Sequence, residues 1–148
     1  MTPPDPVIVD TNVVVASLIT RDSHAPTAVI VDGMMSGRLR ALLSTALLAE
    51  YRRVLLRPRV ARIHQLTPAE IDTVLVGLAR HATILEPNPI ALPDNPGDAH
   101  IASLLRAWPD VALITGDSAL AHRVSGEARS LTPTEWSRLP DAPGYQRE

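Results

Sequence analysis

The chain has no cysteine, no lysine and no phenylalanine, and aromatic residues make up 3% of its 148 residues. Without cysteine there are no disulfides and no thiolate metal sites, and a reducing cytoplasm is the expected compartment. Without lysine, all 14 basic residues are arginine. Reactions that need an ammonium group at the site are excluded, and so is a P-loop, which ends in Lys. So few aromatics leave no stacking platform for bases. No apolar run reaches the roughly 20 residues of a membrane span. The N-terminal run from Met1 to Pro6 lacks the basic-then-apolar pattern of a signal peptide. The net charge of -2 gives no global attraction to nucleic acid.

What the chain does contain is alternating strand and helix signals. Val7-Ile8-Val9 is a short apolar β-rich run, as expected of a strand buried on both faces. A helix is expected over Thr11–Ile19, and another from Pro26 to about Ser36, stopped by Gly37. A second strand is expected over Leu39–Leu43, then a helix capped by Ser44 that ends before Pro58. Thr67-Pro68-Ala69-Glu70 combines a cap, a first-turn proline and a capping box, and predicts a helix to about His81. Further strands are expected at 83–85, 111–115 and 128–131. Helices are expected from Asp98 to about Ala107 and over 118–124, with a capped turn at Thr132. The proline-rich stretch 86–97 reads as a loop, and the residues after Leu139 read as a loose tail.

This alternation predicts an α/β fold, three-layered α/β/α, around a mainly parallel sheet of four to five strands, in one domain over residues 1–148 with its core at about 6–135. Right-handed crossovers place the carboxyl ends of all strands along one edge, where such sheets bind ligands. Asp10 ends the first strand, Asp98 follows the proline-rich loop and Asp117 follows the fourth strand. Glu50 lies two turns into the helix after the second strand. Each Asp also suits a helix cap. Asp94 suits a turn, but lies close enough to Asp98 to reach the same place. Glu50 shares a helix face with Leu47, Tyr51 and Val54; the structural alternative there is a boundary residue paired with Arg53 or Arg57.

Gathered together, carboxylates raise one another's pKa. A hard divalent cation such as Mg²⁺ relieves that repulsion, can acidify a bound water and can neutralise charge developing on a phosphodiester. Thr11, Asn12 and Thr115 stand beside the acidic positions as hydrogen-bonding support. The five histidines show no metal-ligand spacing and read as structural or surface residues. Arg52, Arg53, Arg57, Arg59 and Arg62 form a basic run after Glu50, suited to a solvated face, a partner contact or phosphate steering.

Four segments in this order resemble the PIN-domain family: Val7-Ile8-Val9-Asp10-Thr11-Asn12, Leu47-Leu48-Ala49-Glu50-Tyr51, Asp94-Asn95-Pro96-Gly97-Asp98-Ala99-His100-Ile101 and Ile114-Thr115-Gly116-Asp117. The chain is most similar to the branch of VapC-type toxins of toxin–antitoxin systems. The resemblance implies an Mg²⁺- or Mn²⁺-dependent endoribonuclease, with Asp10, Glu50, Asp98 and Asp117 as its catalytic and metal-holding residues. Thr11, Asn12, Asp94 and Thr115 would support them, and Arg52, Arg53 and Arg57 would contact RNA or an antitoxin. It also implies a homodimer and a cognate antitoxin protein. A different class is a PIN-like module with weak catalysis, acting through protein or RNA binding. Receiver domains and haloacid-type phosphatases also place Asp after the first strand, but they use a lysine that this chain lacks.

Overall fold

A computed structural model describes residues 5–92 and 94–140. The expected tail over 140–148 falls, apart from residue 140, outside the described residues. Five parallel strands form the centre: β1 (Val7–Val9), β2 (Leu42–Leu43), β3 (Thr83–Ile84), β4 (Ala112–Ile114) and β5 (Arg129–Leu131). Strands β1, β4 and β5 form one ladder and β2 with β3 another. A parallel bridge between Val7 and Ala41, with Val7 N–H donating to the Arg40 carbonyl at 3.1 Å, joins the two. The order across the sheet is therefore β3-β2-β1-β4-β5, and the chain changes direction between β1 and β4.

The strands are short and apolar because they are covered on both faces. Val7, Ile8 and Val9 have no exposed surface, and Leu42, Leu43, Leu113 and Ile114 are equally buried. The helices are α1 (Thr11–Ile19), α2 (Pro26–Ser36), α3 (Thr45–Leu55), α4 (Pro58–His64), α5 (Pro68–Arg80), α6 (Ala99–Ala107), α7 (Ser118–Arg123) and α8 (Pro133–Ser137). Helix α1 packs on α2, α3 and α4; α5 packs on α2 and α3; α8 packs on α2. Helix α2 stops at Gly37, whose φ of 80° places it in the left-handed region. A side chain there would also press on the His81 ring, 2.9 Å from the position a Cβ would take. The capping boxes at Thr67/Glu70 and Thr132/Glu135 both form.

Three expectations needed correction. The second strand pairs only over Leu42–Leu43 with the bridge at Ala41, because Leu39 N–H turns back to the Gly33 carbonyl. The proline-rich stretch ends in a 3-10 turn, Pro96–Asp98, which delivers Asp98 to the start of α6. The basic run contains a separate helix, α4, begun by Pro58 at its first position and ended by Gln65 with φ of 58°. His64 locks this corner. Its Nδ1 accepts from Leu66 N–H, so Nε2 carries the proton and donates to the Leu55 carbonyl at the end of α3.

Candidate functional site

Register builds the centre of the site. Val9 of β1 pairs with Ile114 of β4, so the next residues, Asp10 and Thr115, lie side by side at the carboxyl edge. Asp10 N–H donates to the Ile114 carbonyl at 2.9 Å. The Asp10 side chain has two fixed partners: Oδ1 accepts from Thr11 N–H at 2.8 Å, and Oδ2 accepts from the Thr115 hydroxyl at 2.8 Å. Thr115 Oγ1 in turn accepts from Asp117 N–H at 3.0 Å. One hydroxyl thus ties the end of β1 to the loop after β4. Beneath them the buried Tyr51 of α3 donates its hydroxyl to the Val9 carbonyl, anchoring the strand just before Asp10.

Asp10 is only 7% exposed and Thr115 only 2%. Burial raises the Asp10 pKa above the usual carboxylate value; the two hydrogen bonds oppose this, and the charges of Asp117 and Asp98 add to it. A buried, ionised carboxylate facing two more carboxylates is costly unless a cation joins it.

Asp10, Glu50, Asp98 and Asp117 line one pocket of about 180 Å³, with Thr11, Asn12, Arg57 and His100 also in its wall. Four segments, the first and last more than a hundred residues apart, are thus brought together. Asp94 is exposed in its turn and does not line this pocket. Asp117 caps α7 as well, its Oδ1 accepting from Ala119 and Leu120 N–H. Asp98 makes no side-chain cap to α6, so capping does not account for it. It pairs instead with Arg123, Oδ2 to Nε at 2.7 Å. Glu50 is gripped by Arg53 through both oxygens, at 2.7 and 3.0 Å, which lowers its pKa. The pairing weighed for Glu50 from its helix spacing is therefore present, and so is its place in the pocket.

The basic run divides. Arg52 turns to Asp72 on α5, at 2.8 Å, and Arg53 is committed to Glu50. Arg57 alone of the three reaches the pocket.

His100 is the pocket residue that sequence reasoning missed. Its sequence reading was that of a structural or surface histidine, since on a regular helix a residue two after Asp98 points elsewhere. Asp98 ends a 3-10 turn instead, and His100 reaches the same pocket. Its Nδ1 is buried with no hydrogen-bond partner, and burial lowers its pKa against the opposing pull of Glu50, Asp10 and Asp98. The signal available in the sequence was the helix-breaking Pro96-Gly97 immediately before Asp98.

The donors fit a hard divalent cation by chemistry, since they are carboxylate oxygens around an electrostatically strained Asp10. Among the described residues, however, no three acidic or histidine side chains form a ready-made metal cluster. Arg53 engages both oxygens of Glu50, whereas Arg123 engages only Oδ2 of Asp98 and leaves Oδ1 for an ion.

A profile of the family described as PIN domain matches residues 6–119, which include the pocket's acidic residues. No curated protein and no solved structure matches the chain. By the extent of the profile match the chain belongs to the PIN-domain family, whose members are generally nucleases that use divalent metal ions.

Proposed function

We propose that this protein is a metal-dependent endoribonuclease that hydrolyses RNA phosphodiester bonds, the toxin of a toxin–antitoxin pair. The observation that carries the reading is the single pocket shared by Asp10, Glu50, Asp98 and Asp117. These four side chains would hold Mg²⁺ or Mn²⁺. When bound, the ion supplies Lewis acidity and charge neutralisation at the phosphodiester.

The chain's own residues do the rest. Thr115 and the Thr11 N–H hold the Asp10 carboxylate in one orientation, so no reorganisation is needed when substrate arrives. Asn12 and Arg57, on the pocket wall, offer donors to phosphate oxygens. His100 offers a ring nitrogen beside the carboxylates. Asp94 serves outside the pocket, as a turn residue before Asp98. The functional unit we propose is one domain over the whole chain, acting as a homodimer and restrained by a cognate antitoxin protein.

A second reading has an observation of its own. Glu50 and Asp98 already have arginine partners, as in a PIN-like module that binds protein or RNA and cuts weakly. Cleavage of structured and unstructured RNAs separates the two. The nuclease reading expects cutting with Mg²⁺ or Mn²⁺ that EDTA stops and Asp10→Asn abolishes. Clean protein that cuts nothing with either metal supports the module.

A further inference from the structure

We propose that the outer face of α4, carrying Arg59 and Arg62, together with Arg57 immediately before it, is a track that holds the phosphate backbone of single-stranded RNA as it leaves the carboxylate pocket. The proposal rests on the nuclease reading for its substrate and goes beyond it in naming the surface.

Three observations carry it. First, the arginines of this chain fall into paired and unpaired sets among the described residues, and only one part of the chain gathers three of the unpaired ones, since Arg21, Arg38, Arg80 and Arg138 stand apart in sequence. Arg40, Arg52, Arg53, Arg106 and Arg123 are all held in ion pairs. Arg57, Arg59 and Arg62 are exposed and form no ion pair among the described residues. Second, these three share one surface groove of about 660 Å³ with Pro58 and Val60, and no acidic residue lines it. Third, the groove adjoins the pocket. Arg57 lines both.

Geometry makes the face linear. Arg59 and Arg62 are three apart on a helix and therefore lie on one side of it. The seven residues of α4 span about 10 Å, enough for a short run of backbone phosphates. Unpaired guanidiniums on a chain of net charge -2 are a local cationic feature, suited to a polyanion threaded past an acidic pocket that would otherwise repel it. With no aromatic residue in the groove, the track reads backbone rather than bases. Sequence preference, where there is any, then arises elsewhere.

The test is equilibrium binding of the full chain to a fluorescent single-stranded RNA oligonucleotide in EDTA, so that nothing is cut, over about 50 to 200 mM salt. Each single-strand phosphate contact contributes about 0.7 to the slope of log affinity against log salt. Removing two contacts in Arg59→Gln/Arg62→Gln is expected to lower the slope by about 1.4. Over a fourfold change in salt, the variant then loses about sevenfold less affinity than the parent. Arg59→Lys/Arg62→Lys keeps the slope, because the charge remains. Arg21→Gln/Arg80→Gln, two arginines outside the groove, also keeps it. A parent-like slope in the Gln variant overturns the track, as does a parent that binds no RNA. An acidic peptide that needs Arg59 and Arg62, while the RNA slope stays unchanged, assigns the groove to a protein partner and likewise overturns it. Because binding is read without metal, a parent that binds with the expected slope but never cuts removes the nuclease reading and leaves the track standing.

Discussion

Replacing Thr115 by valine keeps the shape of the side chain and removes one hydroxyl. That hydroxyl donates to Asp10 Oδ2 at 2.8 Å and accepts from Asp117 N–H at 3.0 Å. Both bonds are lost, and Asp10 is too buried for water to replace its partner freely. A hydrogen bond to a charged group is worth about 1.5–3 kcal/mol, and the backbone N–H adds about 1 kcal/mol. The expected cost is about 2–4 kcal/mol at neutral pH, or a fall in Tm of roughly 6–12 °C for a chain of this size. Such a loss leaves a typical domain folded.

The effect depends on pH, with a definite sign. Asp10 has its folded pKa raised, mainly by burial. The native state therefore holds this proton more tightly than the unfolded chain does. Ionisation of Asp10 costs stability above the folded pKa, and the cost vanishes below the unfolded value near 3.8. The Thr115 hydroxyl favours the charged form, so Thr115→Val raises the Asp10 pKa further. The difference between parent and variant should be largest above the folded Asp10 pKa and narrow as pH falls through it. Urea melts in EDTA across this range measure it. A variant as stable as the parent at pH 7, or a difference that does not change on acidification, refutes the reasoning.

Other outcomes follow from the same site. Asp10→Asn should lower RNA cleavage by orders of magnitude yet raise the melting temperature at pH 7, because it removes a buried charge whose ionisation the fold opposes; a drop in Tm at pH 7 with no such loss of cleavage contradicts it. Added Mn²⁺ should raise the Tm of the parent by mass action and leave that of Asp10→Asn nearly unchanged, as read by thermal shift against EDTA. Tyr51→Phe removes the donor to the Val9 carbonyl and should cost about 1 kcal/mol in chemical denaturation. Gly37→Ala should cost more than about 1 kcal/mol, from its positive φ together with the His81 ring; a neutral result would show that α2 can end another way.

Local chemistry made much of the fold legible in the sequence. Val7-Ile8-Val9 announced a strand covered on both faces, and Ser44, Thr67 and Thr132 announced helix starts, because caps, prolines and apolar runs act over a few residues. The alternation of elements led to a parallel sheet, and the sheet to an edge where Asp10 and Asp117 follow their strands. The short helix α4 was harder to see. Its seven residues are too few to show a periodic apolar face, and none of them is buried.

Only the tertiary structure decided how the charges are distributed. The sequence made Arg52, Arg53 and Arg57 equivalent neighbours. The packing of α3 against α5 gave Arg52 to Asp72 and left Arg57 at the pocket. Asp98 and Arg123, distant in the chain, became an ion pair, and His100 entered the pocket through a 3-10 turn that a helical period could not anticipate. The physical reason is range: hydrogen-bonding habit and steric preference are written within a few residues, whereas a charge takes whatever partner the folded chain brings within a few ångströms.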